Sequence, residues 1–230
     1  MPNRLKTRGP KKHSASTIAV IGLGRFGTSL ALELVKGGRE VLGIDSDERL
    51  VQNISDKLTH VIQADSTDEA ALRELGIPDF DSAVVAIGSD LEASILTASL
   101  VLQLGVPQVW AKATSVSHGR ILEQLGVHHV IFPEMDMGKR VAHMVSGETL
   151  DYIQLDDDFV MAKTEAPASF EGKTLSEMQF RSLHGVTVVA TKKQNDNYKP
   201  SFPETILNSG DVMIVAGRTK KVEEFCRMGW

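Results

Sequence analysis

Between residues 17 and 146 the chain alternates six times between a short apolar run and an amphipathic stretch, and this alternation restricts the fold more than any other feature. The runs are TIAVI (17–21), EVLGID (40–45), HVIQAD (60–65), SAVVAIG (82–88), PQVWAKA (107–113) and HHVIF (128–132). Short, continuously apolar runs suit strands buried on both faces. Between them the apolar residues recur at helical spacing: Phe26, Leu30, Leu34 and Val35, then 47–55, then Ala71, Leu72 and Leu75, then 91–104, then Ile121, Leu122 and Leu125. Pro133 opens a last helix reaching about Ser146. Right-handed crossovers lay successive helices on alternate faces, so the spacing predicts a doubly wound parallel sheet of six β-α units.

After about residue 150 the texture changes. LDYIQLDDDFVMAKTEAP reads as two strands around an acidic turn, followed by a short helical stretch near Leu175 to Leu183. VTVVATKK (186–193), the polar turn NDN and DVMIVAG (211–217) read as further strands, with a closing helix from Lys220 to Met228. This predicts a small α+β lobe. The expected division is a basic disordered tail (1–15), a sheet domain (16–137), a connecting helix and linker (138–157) and a C-terminal domain (158–230).

The tail carries Arg4, Lys6, Arg8, Lys11 and Lys12 and no acid, leaving 20 basic against 30 acidic side chains in the remainder. An acidic body argues against nucleic acid as a partner. The tail reads as a solvated arm, with an anionic phospholipid surface as the alternative contact. No apolar run approaches the roughly 18 residues of a membrane span, so direct insertion is not expected. No apolar core follows the first basic residues, so a secretory signal is not expected either. The single cysteine, Cys226, fits a reducing compartment, and the expectation is a cytoplasmic protein.

The chemistry concentrates at Gly22-Leu23-Gly24-Arg25-Phe26-Gly27, directly after the first run and at the start of a helix. Gly22 permits the tight turn, Gly24 lets phosphate approach the backbone, and Gly27 lets helix and sheet pack closely. Free amides at the helix start then hold phosphate. Asp45, followed by Ser46, ends the second run 18 residues beyond Gly27. A carboxylate there accepts ribose hydroxyls and repels a 2′-phosphate. Arg25 adds a fork of donors beside the phosphates, favouring ADP or ATP, unless it swings into solvent. Asp65 and Ser66 end the third run, Ile87 and Gly88 the fourth, and all lie where such sheets bind ligands.

Lys112, inside the apolar VWAKA, needs an anion partner such as phosphate, or a route along its stem to water. Glu134, in the first turn of the last sheet-domain helix, complements the helix dipole; it is also a candidate ligand for Mg²⁺ or another divalent cation bridging to phosphate. The histidines lack metal-ligand spacing, and no GxSxG, Walker lysine loop or CxxC is present, so no catalytic residue is expected.

GLGRFGTSLALEL, Asp45, AIGSDLEASI (86–95), VWAKA and SHGRILEQLGVHHVIFPEMDMG (117–138) together resemble the RCK (KTN) regulators of potassium transport, the Ktr- and TrkA-like family, over residues 16–230. The resemblance implies a Rossmann-like N-terminal domain, a crossover helix and a small C-terminal lobe. It also implies homodimers assembled into an octameric ring beneath a membrane potassium translocating subunit of the KtrB/TrkH type, at the inner face of the plasma membrane. ATP and ADP are expected to compete for one site, ATP favouring the active ring. By motif, Gly22, Gly24, Arg25, Phe26 and Gly27 would hold phosphates, Asp45 the ribose and Lys112 phosphate. Arg25 would read the γ-phosphate, including a neighbouring subunit's, and Glu134 would lie near it with a divalent cation. The resemblance further implies a cyclic di-AMP site in the C-terminal lobe, with Arg181 as its candidate phosphate contact. Ser66 stands where the family commonly has alanine, and many members use NAD(H), so the preference for ATP and ADP rests on Arg25. The competing readings are a small NAD(H)-dependent oxidoreductase, for which no proton donor is evident, and a redox-sensing transcription regulator, for which no recognition helix or basic face is evident.

Overall fold

The computed structural model of the chain describes residues 16–146 and 149–228. The basic tail expected at 1–15 lies outside the described residues. The chain divides into two compact units, one ending at Glu134 and the other beginning at Met135.

In the first unit the six alternations become β1 (Thr17–Ile21), α1 (Arg25–Lys36), β2 (Glu40–Asp45), α2 (Glu48–Ile54), β3 (His60–Gln63), α3 (Glu69–Glu74), β4 (Ser82–Val85), α4 (Leu91–Gln103), β5 (Gln108–Lys112), α5 (Val116–Gln124) and β6 (His129–Ile131). The strands form one sheet in the order β3-β2-β1-β4-β5-β6. Every pairing in it is parallel. Alternate strand residues feed two cores. Ala19, Ile21, Leu42, Ile44, Val85 and Val109 pack with Leu72, Ala98, Val101 and Leu122 of α3, α4 and α5. Val20 and Val41 face the other way, against Ala31 of α1 and Ile54 of α2. This two-sided burial explains why the inner runs read as continuous apolar segments, while the edge strands β3 and β6 bury none of their residues.

Side-chain caps set most helix starts. Asp47, Asp68, Asp90 and Ser115 each accept a backbone amide in the first turn of α2, α3, α4 and α5. Strands three and four end earlier than their sequence runs, at Gln63 and Val85. Beyond Gln63, the Asp65 carboxylate accepts the Thr67 amide at 2.9 Å and its hydroxyl at 2.7 Å, a local turn that competes with strand pairing.

The helix α6 (Pro133–Val145) starts at the last residues of the first unit and continues into the second. Then follow β7 (Asp151–Asp156), β8 (Phe159–Glu165), β9 (Lys173–Thr174), α7 (Leu175–Met178), α8 (Phe180–Leu183), β10 (Val186–Lys192), β11 (Lys199–Pro200), β12 (Ile206–Leu207), β13 (Val212–Gly217) and α9 (Thr219–Arg227). A five-stranded antiparallel sheet, β11-β10-β13-β8-β7, buries Val160, Val186, Met213 and Val215 with Phe180 of α8 and Phe225 of α9. The single helical stretch expected at 175–183 is two single turns, because Gln179 between them takes φ +48. The short strands β9, β11 and β12 were not expected, being two residues each.

Candidate nucleotide-binding site

Sheet order fixes where a ligand sits. From β1 the chain crosses to β2 on one side, and β4 flanks β1 on the other, so a crevice opens at the carboxyl ends of β1 and β4. The glycine turn joins β1 to α1 there. Gly22 has φ +98, and a Cβ on it would stand 3.0 Å from the Ala86 carbonyl carbon and the Ile87 nitrogen. A Cβ on Gly27 would stand 1.8 Å from the Gly22 carbonyl oxygen. The turn and the first turn of α1 are therefore packed as only glycine allows. Gly24 caps α1 without a side-chain acceptor, unlike the acceptor-capped α2 to α5, and no acid lies in its first turn. Its first-turn amides remain available to an anion.

Asp45 braces this turn. Its Oδ2 accepts the Leu23 amide at 2.6 Å and its Oδ1 the Asp47 amide at 2.9 Å. Each carboxylate oxygen keeps a second lone-pair direction, so the group can also accept hydroxyls. Thr28, not singled out from the sequence, donates its hydroxyl to the Leu23 carbonyl at 2.7 Å. A hydroxyl four residues after the middle glycine is a faint signal, visible only once the turn is known. Ser46 is exposed, and its carbonyl accepts the Gln63 amide group at 3.1 Å.

Arg25 and Phe26 begin α1, Arg25 exposed and Phe26 half-buried. The Lys112 ammonium stands 5.9 Å from the Phe26 ring centroid. It would lie 3.0 Å from a Cβ on Gly88. Its partner is the Glu134 carboxylate at 2.5 Å, with the lysine side chain 10% exposed and the glutamate 64%. The Lys112 hydrogen bond holds the Glu134 carboxyl below the ordinary glutamate range, and the Arg25 charge adds a smaller push the same way. Of the two sequence alternatives for Lys112, an anion partner or escape to water, the structure shows an anion partner, supplied by the chain itself.

The remaining expected residues divide. Asp65 is exposed, and its hydrogen bonds from Thr67 hold its carboxyl below the ordinary aspartate value. Ser66 turns inward, its hydroxyl 2.8 Å from the Thr97 hydroxyl in the core. Ile87 is half-buried and Gly88 exposed, in the loop after β4. Arg181 is exposed on α8 in the second unit. A separate depression of about 600 Å³ lies in that unit, lined by Phe159, Gly185, Thr187, Val189, Arg218 and Lys221 among others. The cations beside it are Arg218 and Lys221, which sequence reasoning did not pick out, and Arg181 is not part of the lining.

The same edge of the sheet thus holds a glycine cradle, uncapped helix amides, an acceptor at Asp45 and two cations, Arg25 and Lys112. That set suits a nucleotide with charged phosphates. Among the described residues no group of three or more His, Cys, Asp or Glu could hold a metal by itself. A divalent cation near Glu134 would therefore need phosphate oxygens as co-ligands. No described helix is long and apolar enough to cross a membrane.

A doubly wound sheet of the nucleotide-binding type followed by an antiparallel lobe defines a two-domain protein of the Rossmann-like class. The TrkA-N domain model matches residues 18–133 and the TrkA-C domain model residues 160–228. Ktr system potassium uptake protein A of Bacillus subtilis is 36% identical over 208 residues, covering 90% of this chain and 94% of the relative. Protein A of the Ktr system of Vibrio alginolyticus is 36% identical over 205 residues, covering 89% and 93%. The chain belongs to the RCK family of Ktr- and Trk-type potassium uptake proteins. Among solved structures, the GsuK channel bound to NAD shares the fold at TM-score 0.66 and 16% identity, over 94% of this chain. This chain spans 40% of that channel chain.

Proposed function

We propose that the chain is a cytoplasmic regulatory subunit that binds ATP and ADP in the crevice. In this reading it reports which one is bound to a membrane potassium translocating subunit, without catalysing a reaction. The carrying observation is the pair of cations, Arg25 and Lys112, at a glycine turn whose helix amides lack a side-chain cap. Arg25 is the γ-phosphate sensor in this reading, Asp45 the ribose acceptor and Glu134 the carboxylate for a bridging divalent cation. The relatives' names as potassium uptake proteins support the transport role.

A ligand shifts a two-state assembly only by its difference in affinity for the two shapes. A third phosphate supplies that difference by giving Arg25 side chains of two copies a shared anion. About 1–3 kcal/mol of coupling per site is typical, and a ring of eight copies multiplies it. Self-association is supported by α6, which buries none of its residues and exposes Met137, Val141, Met144 and Val145. In the second unit, the depression beside Arg218 and Lys221, whose lining residue Gly185 follows Arg181 by four positions, is the proposed place for cyclic di-AMP.

The deciding experiment is calorimetry with ATP, ADP, NADH and cyclic di-AMP, joined to small-angle scattering with each nucleotide. We expect different scattering with ATP and ADP, and no difference in Arg25→Ala. A preference for NADH over both, with unchanged assembly, refutes the reading. NAD(H) is the second candidate ligand, favoured by the likeness in fold to the NAD-bound GsuK channel.

A further inference from the structure

The Lys112–Glu134 pair has unequal partners. Lys112 sits in β5, whose neighbouring residue Ala111 is paired with β4 and which is itself paired with β6 at Ile131, so its backbone is fixed. Its stem is buried and its ammonium is confined between Gly88 and the Phe26 ring. Glu134 lies on the first turn of a helix with its side chain largely in solvent, so rotation about its own bonds takes it away without disturbing the sheet. A phosphate entering the crevice needs the cation and repels the carboxylate.

We propose that this ion pair is an internal latch. The carboxylate of Glu134 occupies the cation a nucleotide phosphate needs, and binding proceeds by exchange of Lys112 from Glu134 to phosphate. This rests on the nucleotide reading above. In the absence of a divalent cation, exchange, and not sharing, follows from charge: one ammonium cannot neutralise a carboxylate and a phosphate chain together, and Arg25 relieves only part of the excess. Release of Glu134 frees the first turn of α6. Further along the same helix Arg140 forms two hydrogen bonds to Asp151 of β7, each 2.7 Å, and His143 stacks on Tyr152 at 3.8 Å. The residue that answers the ligand and the residues that hold β7 therefore lie on one continuous helix, whose first turn carries the Lys112 ion pair.

The test is calorimetric titration of ADP into the full chain in the presence of a chelator, which removes any divalent cation from Glu134. Glu134→Gln is expected to bind ADP about tenfold more tightly than the unaltered chain, the scale of one charge-assisted hydrogen bond no longer in competition. Lys112→Met is expected to bind more weakly, and adding Glu134→Gln to it should then change Kd by less than about twofold. Hydrogen exchange at residues 134–138 gives a second readout: ADP should speed it in the unaltered chain, and Glu134→Gln should reach that speed without ligand. Unchanged or weaker binding by Glu134→Gln overturns the latch. So does an equal gain in both backgrounds, which marks plain charge repulsion. Binding of neither ADP, ATP nor NADH by any variant overturns the nucleotide reading itself.

Discussion

At the scale of the residue, single atoms decide what the site tolerates. A methyl group on Gly27 has no room beside the Gly22 carbonyl, and backbone cannot rotate away as a side chain can. Gly27→Ala is expected to lower unfolding stability by about 2–3 kcal/mol, read as a shifted urea midpoint, and to abolish nucleotide binding. His118 gives a second prediction. It is buried, its Nδ1 stands 3.3 Å from the Thr114 amide as acceptor, and its Nε2 has no partner among the described residues. Burial pushes its pKa below the ordinary 6.5. The unfolded chain therefore binds this proton more readily, so stability is full above about pH 6.5 and falls as pH drops below it. Urea midpoints between pH 7.5 and 5.5 should fall for the unaltered chain and stay level for His118→Asn. Glu134 and Asp151, both lowered by cationic partners, lose their contributions only at more acid pH, below the ordinary carboxylate values.

At the scale of the element, the sequence was most legible where local pattern and burial agree. All six parallel strands and the helices between them followed from apolar period; in the inner strands burial on both faces leaves little choice of residue, whereas the edge strands β3 and β6 bury none of their residues. The glycine turn and Asp45 were legible for a related reason: their spacing is set by one strand-turn-helix-strand unit. The Lys112–Glu134 pair was not, since it joins β5 to α6 across α5 and β6, with no motif to fix their spacing. Ser66 was placed on the ligand side by its position, and nothing in its type revealed the inward hydrogen bond to Thr97. The break between α7 and α8 was hidden too, since glutamine rarely adopts φ +48. Gln179→Gly should relieve that cost and raise stability by about 0.5–1 kcal/mol in urea titration, whereas Gln179→Val should lower it by about 1–2 kcal/mol.

At the scale of the whole molecule, the exposed apolar face of α6 bears on assembly. Val145 is 80% exposed and Met137 52%, and a helix that buries no residue of its own gains little from the fold around it. If the proposed self-association runs through this face, Val141→Asp is expected to lower the mass measured by light scattering while leaving the stability of the chain, from its urea midpoint, within about 0.5 kcal/mol.

The indole of Trp110 lies against the His129 imidazole across β5 and β6, ring centres 3.9 Å apart and planes 21° apart, and Trp110 stands two residues from Lys112 on one strand. Even spacing along a strand points both side chains to one face. The protein therefore carries its own optical gauge beside the crevice. With Trp230 replaced by phenylalanine, emission would come from Trp110 alone, and its intensity would report in real time when the neighbouring lysine changes company.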